Sequence, residues 1–235
     1  MIFGFMIFIA SVALSFLSAA EQDLSTQPTR STSPQPVSPQ KAIQKALMLS
    51  SKDKQLLNDQ KDGINPLEQN GFYRMMQKIA DIPALPPVQL RHLDTPAYAN
   101  FLRQPNRYRL HPILLRVRIF VVDKLTVDKG LRTNPYWPEG LPIYEIHATI
   151  NGYPNEPLIL YSPQKPDKLG QPSEILPDGR ERYKAGPSYS VAGAYLQYYT
   201  GQSAGDEHSA GIILRYPVVL VWQIEPVSTG TLFGS

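Results

Sequence analysis

The stretch Leu115-Arg116-Val117-Arg118-Ile119-Phe120-Val121 decides the fold. Apolar Leu115, Val117, Ile119 and Val121 alternate with Arg116, Arg118 and Phe120, which is the period of a strand with one face in a core. Working outward, Tyr144, Ile146, Ala148 and Ile150 alternate with Glu145, His147 and Thr149 in a second strand. Asn151-Gly152 is a turn pair that leads into a third strand, Leu158 to Tyr161. A fourth runs from Tyr189 to Tyr199, with Gly193 marking a bulge or bend, and a fifth from Ile212 to Trp222. Pro217 cannot donate to a sheet ladder, so it places that part of the fifth strand at an edge or a break. Ser162 to Pro187 reads as loop, with a small hairpin around Asp178-Gly179.

Strands so ordered predict a mainly β fold: a small five-stranded OB-like Greek-key barrel over residues 105–224. An SH3-like barrel and an open sheet capped by helices are the alternatives. The helix usual between OB strands three and four has no counterpart in the sequence.

Residues 41–104 are expected to form two or three short α-helices. Lys41 to about Gln60 carries Ile43, Ala46, Leu47 and Ser50 on one face, closed by Asp62-Gly63. Gly71 to Asp81 repeats Phe72, Met75, Met76 and Ile79 at three and four, and Pro83, Pro86 and Pro87 stop it. A third helix is capped by Asp94 or Thr95, takes Pro96 in its first turn and shows Tyr98, Phe101 and Leu102 on its apolar face. Pro105 ends it.

The ends carry the location. Met1 to Ala20 is uncharged and apolar from Ile2 to Leu17, then small at Ser18, Ala19 and Ala20 before Glu21. That is a leader peptide cleaved after Ala20, or, since no Lys or Arg precedes the apolar run, an uncleaved anchor. Either reading expects the rest outside the cytoplasm: periplasmic, in the cell envelope or extracellular. Residues 21–40, rich in Ser, Thr, Gln and Pro, read as a disordered tether, and residues 225–235 as a flexible tail. With no cysteine, the domain must be held by its packed core alone. A formal net charge of +3 falls short of the basic patch of a dedicated nucleic-acid binder.

Several motifs together resemble a known group. They are Phe72-Tyr73-Arg74-Met75-Met76, the run from Pro105 through Tyr108, Leu141-Pro142-Ile143-Tyr144-Glu145, Leu160-Tyr161-Ser162-Pro163 and Val191-Ala192-Gly193-Ala194-Tyr195-Leu196. From Phe72 to Trp222 the chain resembles an uncharacterised OB-like domain of secreted or membrane-attached proteins from planctomycete-type bacteria. The resemblance implies fold and location and no chemistry. The chain departs from that pattern at Leu110-His111-Pro112, where a Gly is expected before the first strand.

Catalytic signatures are sparse. Gly186-Pro187-Ser188-Tyr189-Ser190 lacks the last Gly of a nucleophile elbow, and Gly201, Gly205 and Gly211 have no following Lys-Ser/Thr to cradle phosphate. Glu145 and His147 share a strand face and could take a metal with Asp206, Glu207 or His208, without an established ligand spacing. The expectation is therefore no catalytic residue, no metal and no cofactor. Aromatic residues are the better binding signal. Tyr136-Trp137 sits in a Pro-flanked loop, Tyr189, Tyr195, Tyr198 and Tyr199 crowd strand four, and Arg116, Arg118 and Lys124 add positive charge on strand one. The leading expectation is a non-catalytic secreted or envelope module that binds a protein or a glycan. An oligonucleotide- or polysaccharide-binding OB domain using Tyr136, Trp137, Tyr195, Tyr198, Tyr199, Arg116 and Arg118 is the alternative, nucleic acid being disfavoured outside the cytoplasm. A metal-assisted hydrolase using His147 ranks third.

Overall fold

The computed structural model describes residue 43 and residues 45–183, 188–202 and 213–227. The expected leader, tether and last tail residues (1–20, 21–40 and 228–235) lie outside these, as do Asp206, Glu207 and His208. No helix among the described residues is long and apolar enough to cross a membrane.

The helical region has α1 (Ser51–Asn58), a 3-10 turn (Pro66–Glu68), α2 (Asn70–Ala80), α3 (Pro87–Leu90), α4 (Tyr98–Arg103) and α5 (Pro105–Tyr108). The strands are β1 (Pro112–Leu125), β2 (Ile143–Ile150), β3 (Tyr153–Ser162), β4 (Glu174–Ile175), β5 (Glu181–Arg182), β6 (Ser188–Gln202) and β7 (Ile213–Pro226). β1, β2, β3, β7 and β6 pair in that order and β6 returns to β1, closing a five-stranded barrel. Only the β3–β7 contact in this ring is parallel. A three-strand meander whose last strand is met by the fifth, with the fourth beside the first, is the OB-like arrangement. Among the described residues no helix stands between β3 and β6; the β4–β5 hairpin does, and β5 pairs with β1 at Val121 and Val122.

Alternation fills the barrel as the sequence implies: Leu115, Val117, Ile119, Ile146, Ala148 and Leu160 point inward with Tyr195 and Val219. One correction concerns Val121. A register shift between Ile119 and Val121 brings Val122 into the core at 2% exposure, so Val121 is only partly buried. The second correction concerns helix starts. Ser50, placed by periodicity on an apolar helix face, is the N-cap of α1 and forms a capping box with Asp53. Asp94 and Thr95 do not cap α4, whose N-cap is Ala97 without a side-chain bond. Asp94 instead pairs with β1, accepting the Leu114 N–H at 2.8 Å, and its carboxylate meets His111 Nε2 at 2.6 Å. Pro105 ends α4 but also opens α5 at its first turn.

A second apolar cluster lies outside the barrel. Ile159 and Tyr161 of β3, Val218, Leu220 and Trp222 of β7, and Ala192 and Ala194 of β6 face Phe72, Met75, Met76 and Ile79 of α2. These three strands are thus buried on both faces, which explains the near-continuous apolar run from Val218 to Trp222. Buried amides stitch the layers together. Gln197 Nε2 donates to the Ile64 carbonyl at 2.7 Å, and Gln60 Nε2 donates to Gln197 Oε1. Just before β1, Leu110 holds φ 57°, and its N–H donates to the Tyr195 carbonyl at 2.6 Å. The tight turn that favours Gly is therefore present, with a leucine in the left-handed region.

Candidate functional site: the β1–β2 loop

β1 ends at Leu125, and residues 126–142 fold back before β2 begins. Val127–Lys129 makes one 3-10 turn, and Gly130 at φ 92° reverses the chain. The loop is tied to the helical region. The Arg132 N–H donates to Tyr73 Oη at 3.1 Å, Arg132 Nη1 to the Glu68 carbonyl at 2.7 Å, and Asn134 Nδ2 to Asn70 Oδ1 at 2.9 Å. Asn134 Oδ1 accepts the Tyr136 N–H at 3.0 Å, an Asx turn that sets up the aromatic pair. Trp137 Nε1 donates to the Leu141 carbonyl at 2.9 Å, locking the indole. The result is a cavity of 340 Å³ lined by Val127, Leu131, Arg132, Asn134, Trp137 and Glu139 among others. An aromatic wall, two aliphatic side chains, a guanidinium, an amide and a carboxylate can embrace a small polar ring by apolar contact and hydrogen bonding.

The expected binding residues fall in separate places. Tyr136 is half-buried beside the loop cavity, with Lys52 Nζ 5.4 Å and Arg74 Cζ 5.9 Å from its ring centroid. Trp137 is 8% exposed and presents only a cavity wall. Tyr195 is fully buried: its ring stacks on Phe101 at 5.1 Å, its hydroxyl donates to the Phe101 carbonyl, and burial pushes its phenol well above the ordinary value. It packs the barrel and offers no ligand surface. Tyr198 lies under Arg215 at 5.2 Å, and Tyr199 stacks on Tyr216 at 6.5 Å. Both sit on β6 beyond Ala194, the partner of Pro112 at the start of β1, so in register they lie at the other end from the β1–β2 loop. Arg116 and Arg118 are exposed on the outer face of β1, in rows with Ser190 and with Ser188 and Thr149. Arg132, Asn134 and Glu139 escaped the sequence reading, since a Pro-flanked aromatic pair does not tell which polar neighbours converge on it.

On the outer face of β2, His147 Nε2 lies 2.8 Å from Glu145 Oε1, and the Tyr161 hydroxyl donates to Glu145 Oε2 at 2.8 Å. Burial works to raise the Glu145 pKa, but His147, Tyr161 and Arg180 outweigh it and hold the carboxyl below its ordinary range. Burial, reinforced by the Glu145 charge, pushes the Tyr161 phenol well up. Each carboxylate oxygen already has a partner within the protein. Among the described residues no group of three His, Cys, Asp or Glu could hold a metal.

No family model, no curated protein and no solved structure matches this chain.

Proposed function

We propose that this chain is an exported, non-catalytic binding module that takes a glycan at its β1–β2 loop, with the N-terminal tether setting its reach from the envelope. The observation that carries the reading is the 340 Å³ cavity with Trp137 as its wall and Arg132, Asn134 and Glu139 at its rim. In OB barrels the loop between the first two strands is one of the ligand-contacting elements. Here the other usual surface, the outer face of β3, is covered by α2, so of the two the loop is the one left open. A volume at the small end of the range for ligand pockets, about 300–1,000 Å³, suits one or two sugar rings. Half-buried or buried tyrosines on β6 weigh against the single-strand stacking alternative, which needs open rings.

The test is titration of the full chain with neutral, amino and acidic oligosaccharides, read by tryptophan emission and by calorimetry. Saturable heat with an emission shift in the wild type, lost in Trp137→Phe and weakened in Glu139→Ala, is the expected result. Silence across the whole panel would overturn the reading.

A further inference from the structure

We propose that the cleft between α1 and α5 is a second, separate binding site, and that its ligand is an amphipathic anion: one acidic head on an apolar chain. The cleft measures 640 Å³ and is lined by Leu49, Leu57 and Leu110 together with Lys54, Arg109, Asn58 and Asn106. Its composition divides into an aliphatic floor and a cationic, amide-bearing rim, which is the complement of such a ligand. Its volume lies within the about 300–1,000 Å³ of small-molecule pockets.

Two features show that these side chains are not merely satisfied surface. Lys54 is exposed and forms no ion pair or side-chain hydrogen bond among the described residues, so its charge is available to the cleft. Arg109 spends Nη2 on Asp62 at 3.0 Å and Nη1 on the Gln60 carbonyl at 3.4 Å, while its Nε, shielded from solvent, has no acceptor. A shielded donor without a partner is costly to the fold. Next to it, Leu110 sits at φ 57°, a left-handed conformation that a side chain disfavours and glycine tolerates. The fold keeps leucine where glycine would serve the turn better, and that leucine is a wall of the cleft. Strain of this kind gathers at ligand sites.

The acidic head could be a carboxylate or a phosphate, so the probes are dodecanoate and dodecyl phosphate. Dodecanol and dodecylammonium serve as neutral and cationic controls, all below their micelle concentrations. Calorimetry on the full chain is expected to show saturable binding of both anions and none of dodecylammonium. Lys54→Glu reverses an exposed, unpaired charge without touching the core, so thermal unfolding should not move. Its dissociation constant for the anions should rise by about tenfold or more, equivalent to about 1.4 kcal/mol. Leu110→Gly relieves the backbone but gives up the leucine's packing on the apolar cluster and removes the wall, so the folded variant should bind more weakly. Preference for dodecanoate assigns a free fatty carboxylate, and preference for dodecyl phosphate a phospholipid-type head. Equal affinity for dodecanol, or an unchanged dissociation constant in a folded Lys54→Glu protein, would overturn the proposal.

Discussion

The ring of Phe72 meets that of Tyr161 edge-on, with centroids 4.9 Å apart and planes at 76°. This one contact sets a helix of the N-terminal region against the outer face of β3, where an OB barrel ordinarily receives its ligand. It also fixes the Tyr161 hydroxyl under Glu145, so the helical layer and the β2 face are mechanically joined.

Phe72 is fully buried, and replacing it by alanine should cost about 3–5 kcal/mol through lost burial and an unfilled cavity. If the helices and barrel share one core, urea unfolding followed by far-UV dichroism and by tryptophan emission should give coincident single transitions in wild type and Phe72→Ala. Separate transitions would mean that the helical layer is an independent appendage.

Asp53 predicts an acid-side loss of stability. Burial opposes its charge, but hydrogen bonds from Arg74 at 2.6 Å, from the Ser50 N–H and from Lys78 outweigh it and hold the carboxyl well below its ordinary range. With the folded pKa depressed, the stabilisation is complete above the unfolded value of about 3.9 and disappears as pH falls toward the folded one. Asp53→Asn should therefore lose about 1–3 kcal/mol at pH 7 and show a shallower decline between pH 5 and 2. Urea midpoints at pH 7 and pH 3 measure both; an unchanged pH slope would remove Asp53 from the account.

What the sequence disclosed follows the range of the interactions involved. Alternation along Leu115 to Ile119 and the Asn151-Gly152 turn are local, and both appear as read, with Gly152 at φ 85°. The strands run longer than their apolar runs wherever pairing continues: β7 extends past Trp222 to Pro226, into the expected tail, because β6 supplies partners as far as Tyr189. Pro217 marks where β7 leaves β3, since their pairing begins at Val218. The loop cavity was the least legible feature. Trp137 stands out in the sequence, but Arg132 joins it only once Tyr73 and Leu141 hold backbone and ring in place, and those contacts span up to 59 positions in sequence.

Two glycines should respond differently to alanine. At Gly193, where the register of β6 shifts against β7, an added Cβ would lie 2.6 Å from the Leu220 carbonyl oxygen and 2.7 Å from Val219 Cγ1. Backbone cannot move aside as a flexible side-chain tip can, so Gly193→Ala should destabilise by about 1–3 kcal/mol. At Gly152 nothing lies within 4 Å, and the penalty is that of the left-handed backbone alone, about 1–2 kcal/mol. Adding a methyl-accommodating cavity through Val219→Ala should recover part of the first loss and none of the second, as thermal melts of the single and double variants would show.

Gln223 tests how the chain between α2 and α3 is held. Its Oε1 accepts the Leu85 N–H at 2.7 Å and its Nε2 donates to the Leu85 carbonyl at 2.9 Å, so one side chain imitates a strand partner for an irregular, Pro-flanked segment. Gln223 is 8% exposed and Leu85 equally so, which leaves little access for water if the amide is removed. Gln223→Leu keeps the volume but strands a backbone donor and acceptor, at about 1–3 kcal/mol for each group left unmade. Gln223 Nε2 also donates to Glu225 Oε1 at 2.6 Å, so Gln223→Glu sets two carboxylates together and one against the Leu85 carbonyl, and it should cost at least as much as leucine at neutral pH. Hydrogen exchange at the Leu85 amide separates this local effect from general loosening. Protection there should drop in Gln223→Leu by more than at the β6–β7 amides, and equal loss at both would show that Gln223 acts through packing instead.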